Sequence, residues 1–338
     1  MYEAKPNLKS RGSRSILNAA LLVVLFTAAS VSSATTIDRV PISLRPVRVL
    51  VAEGLAQASI RSTGALLIRS PTGTSVSTTP SEKNNEISLR AAASGLQVDD
   101  QSWPQNDVYI EAKDGTIVLV TDPGQEGSIE TTFAGRLRII SGDQLQIINE
   151  VDLEDYVSSV VANEIWPNFE AEAFRAQAII TRTYVLYHML RRTGTLYDVA
   201  ATQGSQVYRG IRTDTVGRNA AKAAEYTKGL VCAWGDKGSD RIFCTYYSAA
   251  CGGMSQSAAP LGAESDIPPL SGGVRCDYCR IAPGQSYRWG PVRMPLRDVF
   301  SRLCERYPDL ADLRSIRSIA PAELTRFGRP LTLKITGT

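Results

Sequence analysis

The sequence predicts an α+β fold, with a β-rich N-terminal half packed with a two-helix core and further short strands. Three observations carry that prediction. Residues 36–148 alternate or run apolar over short lengths between Asp-Gly, Pro-Gly and Ser-Gly turns, the pattern of short strands. Residues 152–192 switch to apolar positions recurring at helical steps. The rest returns to strand-like segments with two further helical stretches. At 338 residues, 43% hydrophobic and 21% charged, the chain is long enough for a sizeable core, and length alone suggests about two domains.

Taken in order, VRVLVAEG, ALLIRS, DVYIEAKDG, TIVLVTDPG and GRLRIISGDQLQIINEV read as strands, and the polar stretch Pro80 to Asn85 as a loop. Asp152 caps a helix along which Leu153, Tyr156, Val157, Val160, Val161 and Glu164 recur. Pro167, lacking an N–H, ends it. Asn168 is the expected N-cap of the next helix, and Glu170 and Glu172 suit its positive end. That helix runs to about Arg192, where Thr193-Gly194 stop it. A polar and strand-like stretch containing ATQGSQVYRG follows, then a helix over Thr215 to Thr227 and strands in GLVCAWG and DRIFCTYYSAACGG. A helix over Leu296 to Tyr307 and a strand-like LTLKITGT close the chain.

Composition removes several function classes. The one histidine, His188, is too few for most metal hydrolases, which take two or three imidazoles. Lys5, Lys9, Arg11 and Arg14, the apolar run from Ile16 to Ala29 and the small residues Ser30 to Ala34 read as an export signal, cleaved after Ala34. The apolar run is short for a bilayer span of roughly 20 residues, so membrane contact is expected only through an uncleaved signal anchor. The signal carries four basic side chains and one acidic, which accounts for the whole chain's net charge of +3. The mature chain is then near neutral and has no nucleic-acid footprint. The expected organisation is a signal over 1–34, a β-rich region over 35–150 and a core with the cysteine cluster over 151–338.

The most informative stretch is LEDYVSSVVANEIWPNFEAEAFRAQAIITRTYVL. It sets Glu164 between Val160-Val161 and Ile165-Trp166. A carboxyl held against aliphatic and indole surface loses hydration and is placed to donate a proton near neutral pH. LEDYVSSVVANE, EAFRAQAIITRTYVL, YDVAATQGSQVYRG, SAACGG with CDYC, and the lead-in AGRLRIISGDQLQIINEV together resemble the SpoIID/LytB domain family, which acts on bacterial peptidoglycan. The resemblance covers about Val47 to Thr338. It implies a SpoIID-like fold and either a lytic transglycosylase acting on MurNAc-GlcNAc strands, preferring peptide-stripped ones, or an enhancer of an N-acetylmuramoyl-L-alanine amidase. Lytic cleavage needs one acid/base, which agrees with the lack of a second acid in an equally apolar setting. The family pattern continues into a block resembling GHGxGMSQxGA, so the core is expected to be truncated at its C-terminus. Ser248 stands where the family often has His before CGG, and Met254 stands after it.

The resemblance makes Glu164 the catalytic acid. Arg175, Ile179, Arg182 and Leu186 share one helix face, and an Arg among aliphatics wants a carboxylate or a substrate oxygen. Arg182 is therefore expected either to orient Glu164 or a muramic lactyl group, or to form a structural ion pair. Gln206 and Tyr208 offer amide and phenol groups suited to sugar hydroxyls and ring stacking, against a turn with a packed Tyr. Ser286 and Tyr287, with Trp289, are a weaker version of the same set. Cys276-x-x-Cys279, with Cys251 and Cys244, has the make-up of a structural Zn2+ site; disulfides in an exported chain are the competing reading. Cys232 and Cys304 read as core residues or a disulfide, and His188 as structural. A generic secreted cysteine-rich binding domain would instead leave Glu164 exposed and replaceable.

Overall fold

The computed structural model describes residues 45–338 except 63, 72, 74, 79–85, 93–94, 114, 126, 237–239, 264–266 and 282–289. The expected signal over 1–34, the Pro80 to Asn85 loop, and Ser286, Tyr287 and Trp289 lie outside the described residues. The described chain falls into two compact units that divide between Thr245 and Tyr246. No helix among the described residues is long and apolar enough to cross a membrane.

The first unit opens with twelve strands. They are β1 (Val47–Leu55), β2 (Gln57–Ser62), β3 (Leu66–Arg69), β4 (Ser75–Thr78), β5 (Glu86–Ala92), β6 (Gly95–Val98), β7 (Gln101–Trp103), β8 (Asp107–Ala112), β9 (Ile117–Thr121), β10 (Ile129–Phe133), β11 (Arg136–Ser141) and β12 (Leu145–Val151). Three helices follow: α1 (Leu153–Glu164), α2 (Ala171–Arg191) and α3 (Thr215–Tyr226), with β13 (Val199–Ala200) between α2 and α3 and a β14 (Ala233–Trp234), β15 (Arg241–Ile242) ladder after α3. One sheet has the order β13-β1-β12-β11-β8-β3-β4 and the other β10-β9-β2-β5-β6-β7. All pairings in the two sheets are antiparallel except β1 with β13, which is parallel. The strands bury alternate residues, as in Leu137, Ile139 and Ser141 of β11, because successive side chains point to opposite faces. The Ser141 hydroxyl donates to the Gly95 carbonyl at 2.8 Å, which ties β11 to β6 of the other sheet.

β12 feeds straight into α1 through Asp152, whose carboxylate accepts the Glu154 N–H at 2.8 Å and caps the helix as expected. α1 buries Tyr156, Val157, Val160 and Val161, each removed from water at a gain of about 1.5–3 kcal/mol. The N-cap of α2 is Glu170 rather than Asn168, because the Phe169 N–H closes a turn on the Trp166 carbonyl before the helix begins. α2 buries ten residues spread around its axis, including Phe174, Thr181, Arg182, Val185 and Leu186. Such a helix is core on nearly every side, and it packs on α1, α3 and β15.

The second unit holds α4 (Tyr278–Ile281), α5 (Leu296–Arg306) and a hairpin of β16 (Ile316–Leu324) and β17 (Pro330–Gly337). The long strands expected in GLVCAWG and DRIFCTYYSAACGG shrink to the two-residue pieces β14 and β15, and β16 has no counterpart in the sequence reading.

Candidate functional site

Glu164 is the last residue of α1 and is half-buried. One carboxylate oxygen accepts the backbone N–H of Val207 at 3.0 Å. That N–H belongs to the QVYRG loop, which is moored to α1 along its length. The Arg209 N–H donates to the Ser159 hydroxyl at 3.3 Å, and the Arg212 guanidinium donates to the Ala162 carbonyl at 2.8 Å. The Ile211 N–H donates to the Thr132 carbonyl of β10 at 2.7 Å. Between them Gly210 has φ of +65°, and a Cβ there would lie 2.1 Å from the Thr132 carbonyl oxygen, so only glycine permits this approach.

The loop's side chains face inward. Gln206 is 0% exposed, and its Oε1 accepts the Tyr156 hydroxyl at 2.9 Å. Tyr208 is 4% exposed, stacks on Tyr156 and Phe133 and donates to Asn149 Oδ1. Burial drives both phenols above their ordinary titration range, so both stay protonated donors. The sequence motif is therefore real, but its Gln and Tyr act as internal posts. What they hold at Glu164 is a backbone N–H.

Arg182 takes the ion-pair alternative. Its partner is Glu154, bound in a two-point fork with Nε to Oε1 at 2.9 Å, and not Glu164. Its remaining donors reach the Ala224 carbonyl at 3.0 Å and the Leu230 carbonyl at 3.1 Å. Glu154 and Glu164 stand ten residues apart on α1, about 15 Å at 1.5 Å per residue. Arg182 is 1% exposed, so it clamps α1 to α2 and to the chain after α3. A cavity of about 750 Å³ opens beside this clamp, lined in part by Arg45, Arg136, Glu150, Glu154, Arg182 and Lys228. Glu164 does not line it, so this cavity is separate from the carboxylate at the end of α1.

One group close to Glu164 in sequence differs from expectation. Trp166 is 70% exposed, so the indole expected to wall the carboxylate is turned to solvent. Phe169, in the same turn, is 49% exposed. Two exposed aromatic rings within five residues of Glu164 in sequence offer flat apolar faces of the kind sugars stack on. The sequence signal for them was the WPNF turn itself, since a turn at Pro167 holds such side chains outside the helix packing.

None of the six cysteines forms a disulfide. Among the described residues no three or more His, Cys, Asp or Glu side chains gather into a group that could hold a metal ion. Cys251 and Cys276 do approach, with the Cys251 thiol 3.9 Å from the Cys276 carbonyl. Cys244 lies instead 3.9 Å from His188 Nε2.

His188 packs on Tyr184 with ring centroids 4.4 Å apart. Burial, then the nearby Arg192 and Arg191, lower its pKa from 6.5 to about 4. A histidine depressed in the folded state favours unfolding as pH falls from 6.5 toward 4, because the unfolded chain takes the proton first. The single imidazole should titrate near pH 4 by NMR, and His188→Gln should flatten the loss of stability over that interval. An imidazole midpoint near 6.5 would contradict this burial.

Residues 141–234 match the family model SpoIID, described as Stage II sporulation protein. The chain is also 32% identical over 187 residues to an uncharacterized protein of Brachyspira hyodysenteriae (strain ATCC 49526 / WA1). The match covers 55% of this chain and 46% of that protein, so the chain spans about half the length of the curated relative it matches. The family match runs from the end of β11 through α1, α2 and α3 to β14, and so contains Glu164, Arg182, Gln206 and Tyr208.

Proposed function

We propose, for a chain that belongs to the SpoIID family through residues 141–234, that it is an exported lytic transglycosylase of peptidoglycan with Glu164 as its single acid/base. The family places it with stage II sporulation proteins. The substrate would be MurNAc-GlcNAc strands, preferentially those stripped of stem peptides. Glu164 gives its proton to the glycosidic oxygen as the bond from the muramic C1 to that oxygen breaks. The carboxylate then takes the proton of the muramic C6 hydroxyl as O6 bonds to C1, which closes a 1,6-anhydro ring. No water adds, and Glu164 ends protonated as it began.

The observation that carries this reading is the placement of Glu164. It sits at a helix end, held by the Val207 N–H, with Trp166 and Phe169 exposed in the next turn. Arg182 acts at a distance, by fixing the helix that presents Glu164. Export is proposed from the signal-like residues 1–34. The test is product analysis. The full chain incubated with peptide-stripped strands should release fragments ending in 1,6-anhydromuramic acid, and fewer from intact peptidoglycan. Fragments ending in reducing muramic acid would mean that water attacks, and would contradict the mechanism.

One observation favours a second reading. Arg182, Gln206 and Tyr208 are all committed to internal partners, which leaves few of the expected side chains to grip a glycan. As a non-catalytic wall-binding enhancer, the chain would release no fragments of its own and would raise the rate of an N-acetylmuramoyl-L-alanine amidase.

A further inference from the structure

The second unit contains a pocket that the role of Glu164 does not use. Its volume is about 380 Å³, within the range of small-molecule sites. Gly252, Gly253, Met254, Gln256, Arg275, Asp277, Phe327 and Arg329 line it. Two side chains here are incompletely satisfied. Both amide atoms of Gln256, and Nη1 of Arg329, are buried without a hydrogen-bond partner among the described residues. A buried polar group left unpaired is costly, so three such atoms on two of the pocket's side chains are an expensive arrangement for a fold to keep.

The arrangement is also built. Arg329 Nη2 donates to the carbonyls of Cys251 and Met254, which fixes the guanidinium and leaves Nη1 at a set position. Gly252 has φ of +62°, and a Cβ there would stand 3.0 Å from Arg329 Nη2, so the glycine makes room for the arginine. The Arg275 side chain is 81% exposed at the rim, in a long 3.5 Å ion pair with Asp277. Two guanidiniums against one carboxylate favour an anion. A planar fork suits a carboxylate in particular. The Gln256 amide needs a group that both donates and accepts, and its terminal torsion is soft enough to turn either atom inward. A secondary amide meets that need, and Phe327 supplies an apolar wall.

We infer that this pocket binds a carboxylate carried close to a secondary amide, with Arg329 and Arg275 on the carboxylate and Gln256 on the amide. Two sources share that chemistry: the lactyl carboxylate and acetamido group of N-acetylmuramic acid, and the C-terminal residue of a peptide. The inference rests on the proposed function only in naming the first source. Its readout is binding, so it stands or falls separately from whether Glu164 cuts glycan.

The test is ligand-observed NMR with titration on the full chain, using N-acetylmuramic acid, N-acetyl-D-alanine and N-acetylglucosamine as probes. At least one of the two carboxylate probes should bind, and N-acetylglucosamine should bind about tenfold or more weakly, since it lacks the charge-assisted contact. Binding by N-acetylmuramic acid alone assigns the sugar source, and by N-acetyl-D-alanine alone the peptide source. Arg275→Ala should weaken binding by about the same factor without loss of folding, because the side chain is at the rim. Gln256→Met gives the sharper contrast. Removing unpaired buried polar atoms should leave the melting temperature unchanged or higher while binding falls. No binding by either carboxylate probe, equal binding by N-acetylglucosamine, or unaltered binding by both variants would overturn the inference.

Discussion

Arg182→Ala is expected to lower the unfolding free energy by about 3–5 kcal/mol, the cost of breaking an ion pair whose arginine is buried and of unpairing the groups it binds. The guanidinium is 1% exposed and holds Glu154, whose side chain is 18% exposed, through two contacts. It also donates to the carbonyls of Ala224 and Leu230, each of which loses a donor in the variant. The loss therefore loosens α1, α2 and the chain after α3 together. Urea unfolding should show the midpoint falling sharply. Arg182→Met combined with Glu154→Leu removes both charges at similar volume and should recover much of the loss, since the penalty of the single change lies in the stranded carboxylate. A cost below about 1 kcal/mol for Arg182→Ala would place the pair with surface ion pairs and contradict this role.

Glu164→Gln is expected to do the reverse, sparing the fold and removing the activity proposed. The amide keeps an oxygen able to accept the Val207 N–H, so the loop stays moored and stability should change by less than about 1 kcal/mol. What is lost is the proton that protonates the leaving oxygen and the base that opens the C6 hydroxyl. General acid-base catalysis contributes typically 10²–10⁴-fold, and one group acting in both steps should cost at least about the upper figure. Glu164→Ala should lose the activity equally and also free the Val207 N–H, so the two variants separate chemistry from loop anchoring.

The helical part of the fold was legible because its signals are local. Asp152 caps α1 through the Glu154 N–H, the helix stops at Glu164 just ahead of Pro167, and the apolar step of α1 marks the buried face. The start of α2 was misread because Asn168 sits inside the Trp166–Phe169 turn, whose hydrogen bond is backbone to backbone and independent of side-chain type. The strand reading missed β2, β4, β5, β6, β7, β10 and β16. Sequences such as QASIRS and IETTF carry few large apolar residues, and their pairing is set by neighbours distant in sequence.

The site was legible in part for the same reason. Glu164 lies in a contiguous motif, so its place at the end of α1 could be read directly. The partner of Arg182 could not, because Glu154 lies 28 residues away and equally acidic residues stand nearby on the same helix. Nor could the burial of Gln206 and Tyr208, because polar loop residues read as surface until Tyr156 and Asn149 are seen to receive them.

The measurement that tests the central claim most directly is a mass-spectrometric time course of the parent chain and Glu164→Gln on peptide-stripped glycan, with thermal unfolding of both in parallel. The account predicts 1,6-anhydromuramic products from the parent, almost none from the variant, and matching unfolding curves. Equal product from a folded Glu164→Gln chain would remove Glu164 from the chemistry and contradict the account.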